Sequence, residues 1–279
     1  MSTFQALIDA FLHALTQILP ISEAVENALL KSILGWPTGS PEVHVQVFCM
    51  AALVFIIFFR FDWLGMFSAF IRSVFKPFSL KSELRSLDQH TLIFLILVFL
   101  PAFLLKHFLE PVFATNEILI HPFVNSALTA ALAFGFYFSR RWNKRVNGLN
   151  HLKIADGFFI GFLTLLSAHP TLPYLALLWI GFALRNFHYE AVFKYSMLAL
   201  GLTLVTKLAL LLTQVGLITA IENVGYLNSM AILVVSFVTF WMTLDHLQNG
   251  LSESTFRTLQ WLNIFFAGFF VLVYFLRIA

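Results

Sequence analysis

Six stretches of this chain are apolar for long enough to cross a membrane: 43 to 59, 91 to 109, 122 to 138, 191 to 213, 227 to 244 and 259 to 276. A helix needs about 20 such residues to span roughly 30 Å of hydrocarbon. Inside lipid every backbone N–H and C=O must be satisfied within the fold, which leaves helices or closed barrels, and runs of this length select helices. With 59% hydrophobic residues and 11% charged ones, no soluble packing could cover the apolar surface. The expectation is an all-α integral membrane protein, one polytopic domain over 1–279.

Two further apolar stretches, 4 to 34 and 157 to 184, are interrupted by Pro20 and by His169, Pro170 and Pro173. Each reads as two short helices joined at a break, a re-entrant hairpin. Irregular backbone at membrane depth is tolerated where it lines a cavity or is buried in protein. FLHALTQILP (11 to 20) and GFLTLLSAHP (161 to 170) run alike to a closing proline, and each hairpin precedes three spans. A hairpin plus three spans, occurring twice, is an internal repeat, about 1–138 and about 157–279. An odd number of spans inverts the second copy. The binding site is expected where the hairpins meet.

Arg60, Arg72, Lys76, Lys81 and Arg85 fall in one connecting segment and Arg140, Arg141, Lys144, Arg145 and Lys153 in another, 139–156, whereas 110 to 121 and 214 to 226 contain no Lys or Arg. Basic loops are cytoplasmic by the positive-inside rule, which puts both termini on the outer side. Residues 60 to 78 set apolar positions at helical spacing between basic ones and are expected to lie along the inner interface. The basic residues thus report orientation, and nucleic acid is not an expected partner. No Lys or Arg precedes Lys31, so the first run lacks the basic start of a cleaved signal and is expected to remain in the mature protein. Cys49 is the only cysteine, which excludes an internal disulfide.

Within the first hairpin, Gln5, Asp9, His13 and Gln17 recur at every fourth residue, one face of a helix. Ser22, Glu23 and Glu26 follow the break. Polar groups in hydrocarbon are costly and mark function more often than packing. The stripe is read as lining a cavity, with internally satisfied helix packing as the alternative. Lys207 is expected to snorkel to the outer interface or else to hold a lipid phosphate, and Arg185 to anchor the inner interface.

LTQILPIS (15 to 22), the FFR ending one span (58 to 60), LPAFLL (100 to 105) and FFAGFFVLVYFL (265 to 276) together resemble the undecaprenyl-diphosphate phosphatases, the bacitracin-resistance family. The likeness covers nearly the whole chain. It implies an inner-membrane protein of a bacterium that acts on a polyprenyl diphosphate carrier lipid used in cell-wall synthesis. Against the family's first signature, E-G-L-T-E-F-L-P-V-S-S-T-G-H, the chain keeps Leu15, Thr16, Leu19, Pro20 and Ser22. His13 and Gln17 replace the two glutamates, Glu23 the second serine, Ala24 the threonine, Val25 the glycine and Glu26 the histidine. Against the second, P-G-x-S-R-S-G-x-T, Pro170 remains, with Thr171 for the glycine, Pro173 for the first serine, Tyr174 for the arginine, Leu175 for the second serine, Ala176 for the second glycine and Leu178 for the threonine.

Diphosphate hydrolysis needs cations on the phosphoryl oxygens and a positioned nucleophile or base. The expected reading is therefore a degenerate member without hydrolysis that binds, presents or translocates a polyprenyl phosphate or related amphiphile, contacting it through Asp9, His13, Gln17, Ser22, Glu23, Glu26, His169 and Tyr174. The first alternative is an active phosphatase rebuilt around His13, Glu23, Glu26 and His169, residues that could also ligate a hard metal or zinc if the hairpins meet. The second is a structural subunit. No cofactor or metal is expected outside the active-phosphatase reading. Partners are membrane lipid, with a homodimer or membrane-complex partner left open. Since the hairpins offer Lys or Arg only at Lys31 and Arg185, the cavity is expected to be acidic and to repel diphosphate unless a metal offsets it.

Overall fold

The computed structural model describes residues 2–36, 40–75, 89, 91–99, 121–148 and 151–278. Among these, regular structure is entirely helical, apart from a single β-bridge between Asn147 and Phe187. Helix α1 (Thr3–Ile18) starts in a capping box: Ser2 Oγ accepts from Gln5 N, and Gln5 Oε1 accepts from Ser2 N. Gln5, the first member of the polar stripe, is taken up in this cap. The chain turns extended at Leu19, and α2 (Glu23–Ala28) restarts with Ser22 Oγ accepting from Val25 N. A π turn (Leu29–Ile33) completes hairpin one.

Helix α3 (Pro41–Phe58) is followed by α4 (Arg60–Phe75), by α5 over 91–99 and by α6 (Pro122–Trp142). Hairpin two is α7 (Ile154–Thr164), a 3-10 turn (Leu165–Ala168) and, after a break at 169–173, α8 (Tyr174–Leu184). Then come α9 (Tyr189–Gln214), the short α10 (Leu217–Val224), α11 (Tyr226–Gly250) and α12 (Glu253–Ile278). Among the described residues, α3, α9, α11 and α12 contain apolar windows long enough to cross a membrane. The protein is an all-α membrane protein. Helix α6 occupies the expected span 122–138 and continues to Arg140 and Arg141 in its last turn. Of the expected span 91–109, residues 100–109 with Pro101 lie outside the described residues, as do Lys76, Lys81, Arg85 and 110–120. Phe61, Leu64, Phe67 and Phe70 project from α4.

Lipid tails are as apolar as leucine, so helices in a bilayer associate through close packing and polar contacts more than through hydrophobic burial. α6 packs along α12, α3 against α9 and α11, and α1 against α11. α7 presses on α5: a Cβ added at Gly161 would stand 2.6 Å from the Leu97 carbonyl oxygen. Phe94, Phe182 and Tyr195 form a ring cluster, centroids 5.1 to 5.8 Å apart, that joins α5, α8 and α9. Phe162 and Leu227 are 76% and 87% exposed, normal for a surface that meets lipid.

The basic linker is stitched to the base of hairpin two. Asn147 N donates to Asn186 O at 3.0 Å and His188 N to Asn147 O at 2.9 Å. Asn186 takes φ +62°, a left-handed turn that asparagine tolerates. Arg185, expected as an interface anchor, grips Asp156, with Nε 2.6 Å from the buried carboxylate. It thereby clamps the two legs of the hairpin. Lys194 pairs with Asp62 at 2.6 Å and Arg145 with Glu253 at 2.7 Å. The ends of α4, α6, α8 and α12 that carry or border basic segments thus gather at the start of α9.

Because Gly161 meets backbone rather than a flexible side chain, Gly161→Ala should destabilise the protein by roughly 1–3 kcal/mol, the usual cost of overpacking. Gly268→Ala, where a Cβ meets nothing within 4 Å, should not. Thermal unfolding in detergent compares the two; equal midpoints would mean that α7 is not held against α5.

Candidate functional site

The polar stripe faces inward. Asp9, His13 and Gln17 are all buried, separated by Ala6, Ala10 and Ala14, whose small side chains let neighbouring helices approach. The break at Pro20 folds α2 back so that Glu26 reaches the stripe. The Nδ1 of His13 lies 3.0 Å from Glu26 Oε1 and 3.2 Å from Oε2, and Thr16 Oγ1 donates to Glu26 Oε2 at 2.6 Å. His13 and Glu26 are 5% and 4% exposed, so this contact ties the two legs of hairpin one in dry surroundings. His44, in the first turn of α3, stacks on His13 with centroids 3.8 Å apart and planes 4° apart, and Phe48 closes the other edge of His13 at 5.2 Å.

One turn further on, Gln17 Nε2 donates to Glu23 Oε1 at 3.1 Å, and Lys207 Nζ on α9 donates to Glu23 Oε1 at 2.7 Å and to Gln17 Oε1 at 3.1 Å. Lys207 also lies 5.5 Å from the centre of the Phe48 ring. It turns into the protein and does not snorkel outward. This corrects the expectation of an uncompensated acidic cavity: the balancing cation comes from α9, outside both hairpins.

The two breaks meet at a cleft. Thr16, Gln17 and Glu23 line it from hairpin one, His169 and Tyr174 from hairpin two, and Lys207 from α9. His169 is buried, its Nδ1 accepting from Thr171 N at 3.2 Å, while Thr171 Oγ1 donates to Asn125 Oδ1 at 2.7 Å. Hairpin two is thus held to α6. Of the residues expected at the site, Gln17, Glu23, His169 and Tyr174 line the cleft. His13 and Glu26 sit behind it, linked through Thr16, Ser22 caps α2, and Asp9 lies a turn deeper on α1. His13, Glu23, Glu26 and His169 do not form one cluster: Glu26 goes to His13, Glu23 to Lys207.

His44 and the inward direction of Lys207 escaped the sequence reading. His44 carried a signal, a polar residue in the opening turn of an apolar span with Gln46 beside it. Lys207 carried none, because its direction depends on which face of α9 meets hairpin one.

Broken hairpins meeting at a polar cleft among apolar spans define a polytopic membrane protein with a polar cleft between its helices. The family model described as "Bacitracin resistance protein BacA" matches residues 6–269. The chain belongs to that family, and so is related to the undecaprenyl-diphosphatases, which act on a polyprenyl diphosphate lipid in the membrane.

Glu26→Ala removes the acceptor of both His13 and Thr16, and hydrogen bonds to charged groups contribute about 1.5–3 kcal/mol each, less than additively where two share one acceptor. A loss of roughly 2–4 kcal/mol is expected, with Glu26→Gln losing less because its amide oxygen can still accept from Thr16. Thermal unfolding in detergent tests this, and a Glu26→Ala midpoint equal to wild type would show that the contact does not hold the hairpin.

Proposed function

We propose that the protein is a non-hydrolytic member of its family that binds a polyprenyl phosphate carrier lipid, or a closely related amphiphile, at the cleft between its hairpins, and presents or translocates it. The observation that carries this reading is the charge inventory of the cleft. Lys207 is the only Lys or Arg among the described cleft-lining residues, and its ammonium already pairs with Glu23 at 2.7 Å. Tyr174 stands where the family signature has its arginine. Stabilising a transferring phosphoryl group takes concentrated positive charge, and an arginine alone is worth several orders of magnitude in rate where one is used. One shared lysine suits a phosphate headgroup that is held, not cleaved.

The site residues of this reading are Gln17, Glu23, His169, Tyr174 and Lys207 at the headgroup, with Asp9, His13, Ser22 and Glu26 supporting hairpin one. The inverted repeat belongs to the same reading. Its support is a reciprocal pattern of contacts: α1 packs on α11 as α7 packs on α5, α10 covers α3 as α4 approaches α9, and α6 packs on its counterpart α12. A location in the inner membrane with both termini outside is supported by the gathering of Arg60, Arg140, Arg141, Lys144 and Arg145 at the Lys194 end of α9, away from Lys207.

A rebuilt phosphatase is the second reading, favoured by the His13–Glu26–Thr16 chain that reaches the cleft. One assay separates them. Purified in detergent with magnesium, calcium or zinc, the protein should release no phosphate from undecaprenyl diphosphate above background. It should bind undecaprenyl phosphate, with Lys207→Met weakening binding about tenfold, roughly 1.4 kcal/mol. Metal-dependent turnover lost in His13→Ala or Glu23→Gln would overturn the proposal.

A further inference from the structure

His13, His44 and Glu26 each offer a ligand atom, and these atoms lie within 4.8 Å of one another. We propose that they form a binding site for a divalent transition metal of the zinc class, which fastens hairpin one to α3 behind the cleft.

The donor set argues for the class of ion. Calcium and magnesium take oxygen ligands, up to eight and six respectively. Two imidazoles and one carboxylate instead match the borderline metals, which such a set of three ligands binds with a further position left open. Magnesium or calcium therefore does not fit these residues, whereas zinc does. The second observation is an imbalance that an ion would relieve. Both carboxylate oxygens of Asp9, which is 0% exposed, lack a hydrogen-bond partner, and so do the Nε2 atoms of His13 and His44. Asp9 lies one helical turn before His13 on the same buried face of α1. A buried carboxylate without a partner is costly, and a nearby dication lowers that cost.

Binding requires a local movement. Zinc ligands at about 2.0–2.2 Å from the ion stand roughly 3.5 Å apart, so atoms as much as 4.8 Å apart must close by about 1 Å. His44 would turn out of its stack on His13, a motion in which its Nε2 gives up no hydrogen bond. The Nδ1 contact of His13 with Glu26 is the one bond that ligation would rearrange.

The site stands apart from the lipid cleft, since His44 does not line it, and the two proposals fail separately. The experiment uses the full chain in detergent with any affinity tag removed. Zinc binding by equilibrium dialysis should give about one equivalent per chain, undiminished by excess magnesium, and zinc should raise the unfolding temperature. Cobalt should give the visible absorption of a low-coordinate ion. His44→Ala and Glu26→Gln should lose the zinc equivalent and the thermal shift, while His44→Ala still binds undecaprenyl phosphate. If neither variant folds, X-ray absorption of zinc-loaded wild type decides: two nitrogen ligands are expected. No zinc bound by wild type, undiminished binding in both folded variants, or a shell without nitrogen would overturn the proposal. Phosphate release by the zinc-loaded protein would instead overturn the non-hydrolytic reading and leave the metal site standing.

Discussion

A helix broken at membrane depth exposes amides and carbonyls that hydrocarbon cannot satisfy, and the site is built from the ways this chain closes two such breaks. At the first, Leu19 N still reaches Leu15 O at 2.8 Å, Ile21 N turns onto Leu19 O at 2.8 Å, and Ser22 caps the restart. At the second, Leu172 N donates to His169 O at 3.0 Å while the His169 ring accepts from Thr171 N. Side chains needed to close the breaks therefore stand next to those that face the cleft. Ser22 belongs to the first task, Glu23 and Gln17 to the second, and His169 serves both.

The same constraint governs charge. An acidic group this deep must be paired, hydrogen-bonded or neutral. Three carboxylates of the hairpins meet the condition differently. Asp156 is clamped by Arg185 at the polar end, Glu23 is met by Lys207 at the cleft and Glu26 is held by His13 and Thr16. Asp9 alone among the described hairpin carboxylates has no hydrogen-bond partner, which is why the deepest part of hairpin one, and not the cleft, is where an additional ligand has most to offer.

Much of this was legible in the chain. Runs of apolar residues gave the spans, because crossing hydrocarbon depends on local composition alone. Pro20 and Pro170 marked the breaks, and the fourfold spacing of Asp9, His13 and Gln17 marked a buried face, because both are properties of one helix. What stayed hidden crosses between elements: Gln17 and Lys207 are 190 residues apart in sequence, and no periodicity reveals which helix face turns towards which neighbour. Gln5 shows the converse limit, since it shares the stripe's spacing yet works as a cap one turn from the helix start, where end effects outrank periodicity.

Positions 13 and 26 show what ties hairpin one together. His13 and Glu26 lie in contact, with Thr16 as a second donor to the same carboxylate. That histidine–carboxylate bond holds the two legs of hairpin one together. In the cleft Gln17 carries no formal charge, and the ammonium of Lys207 is met by Glu23. The bond that ties the hairpin is thus separate from the ion pair in the cleft, so the shape of the cleft and its charge rest on different residues.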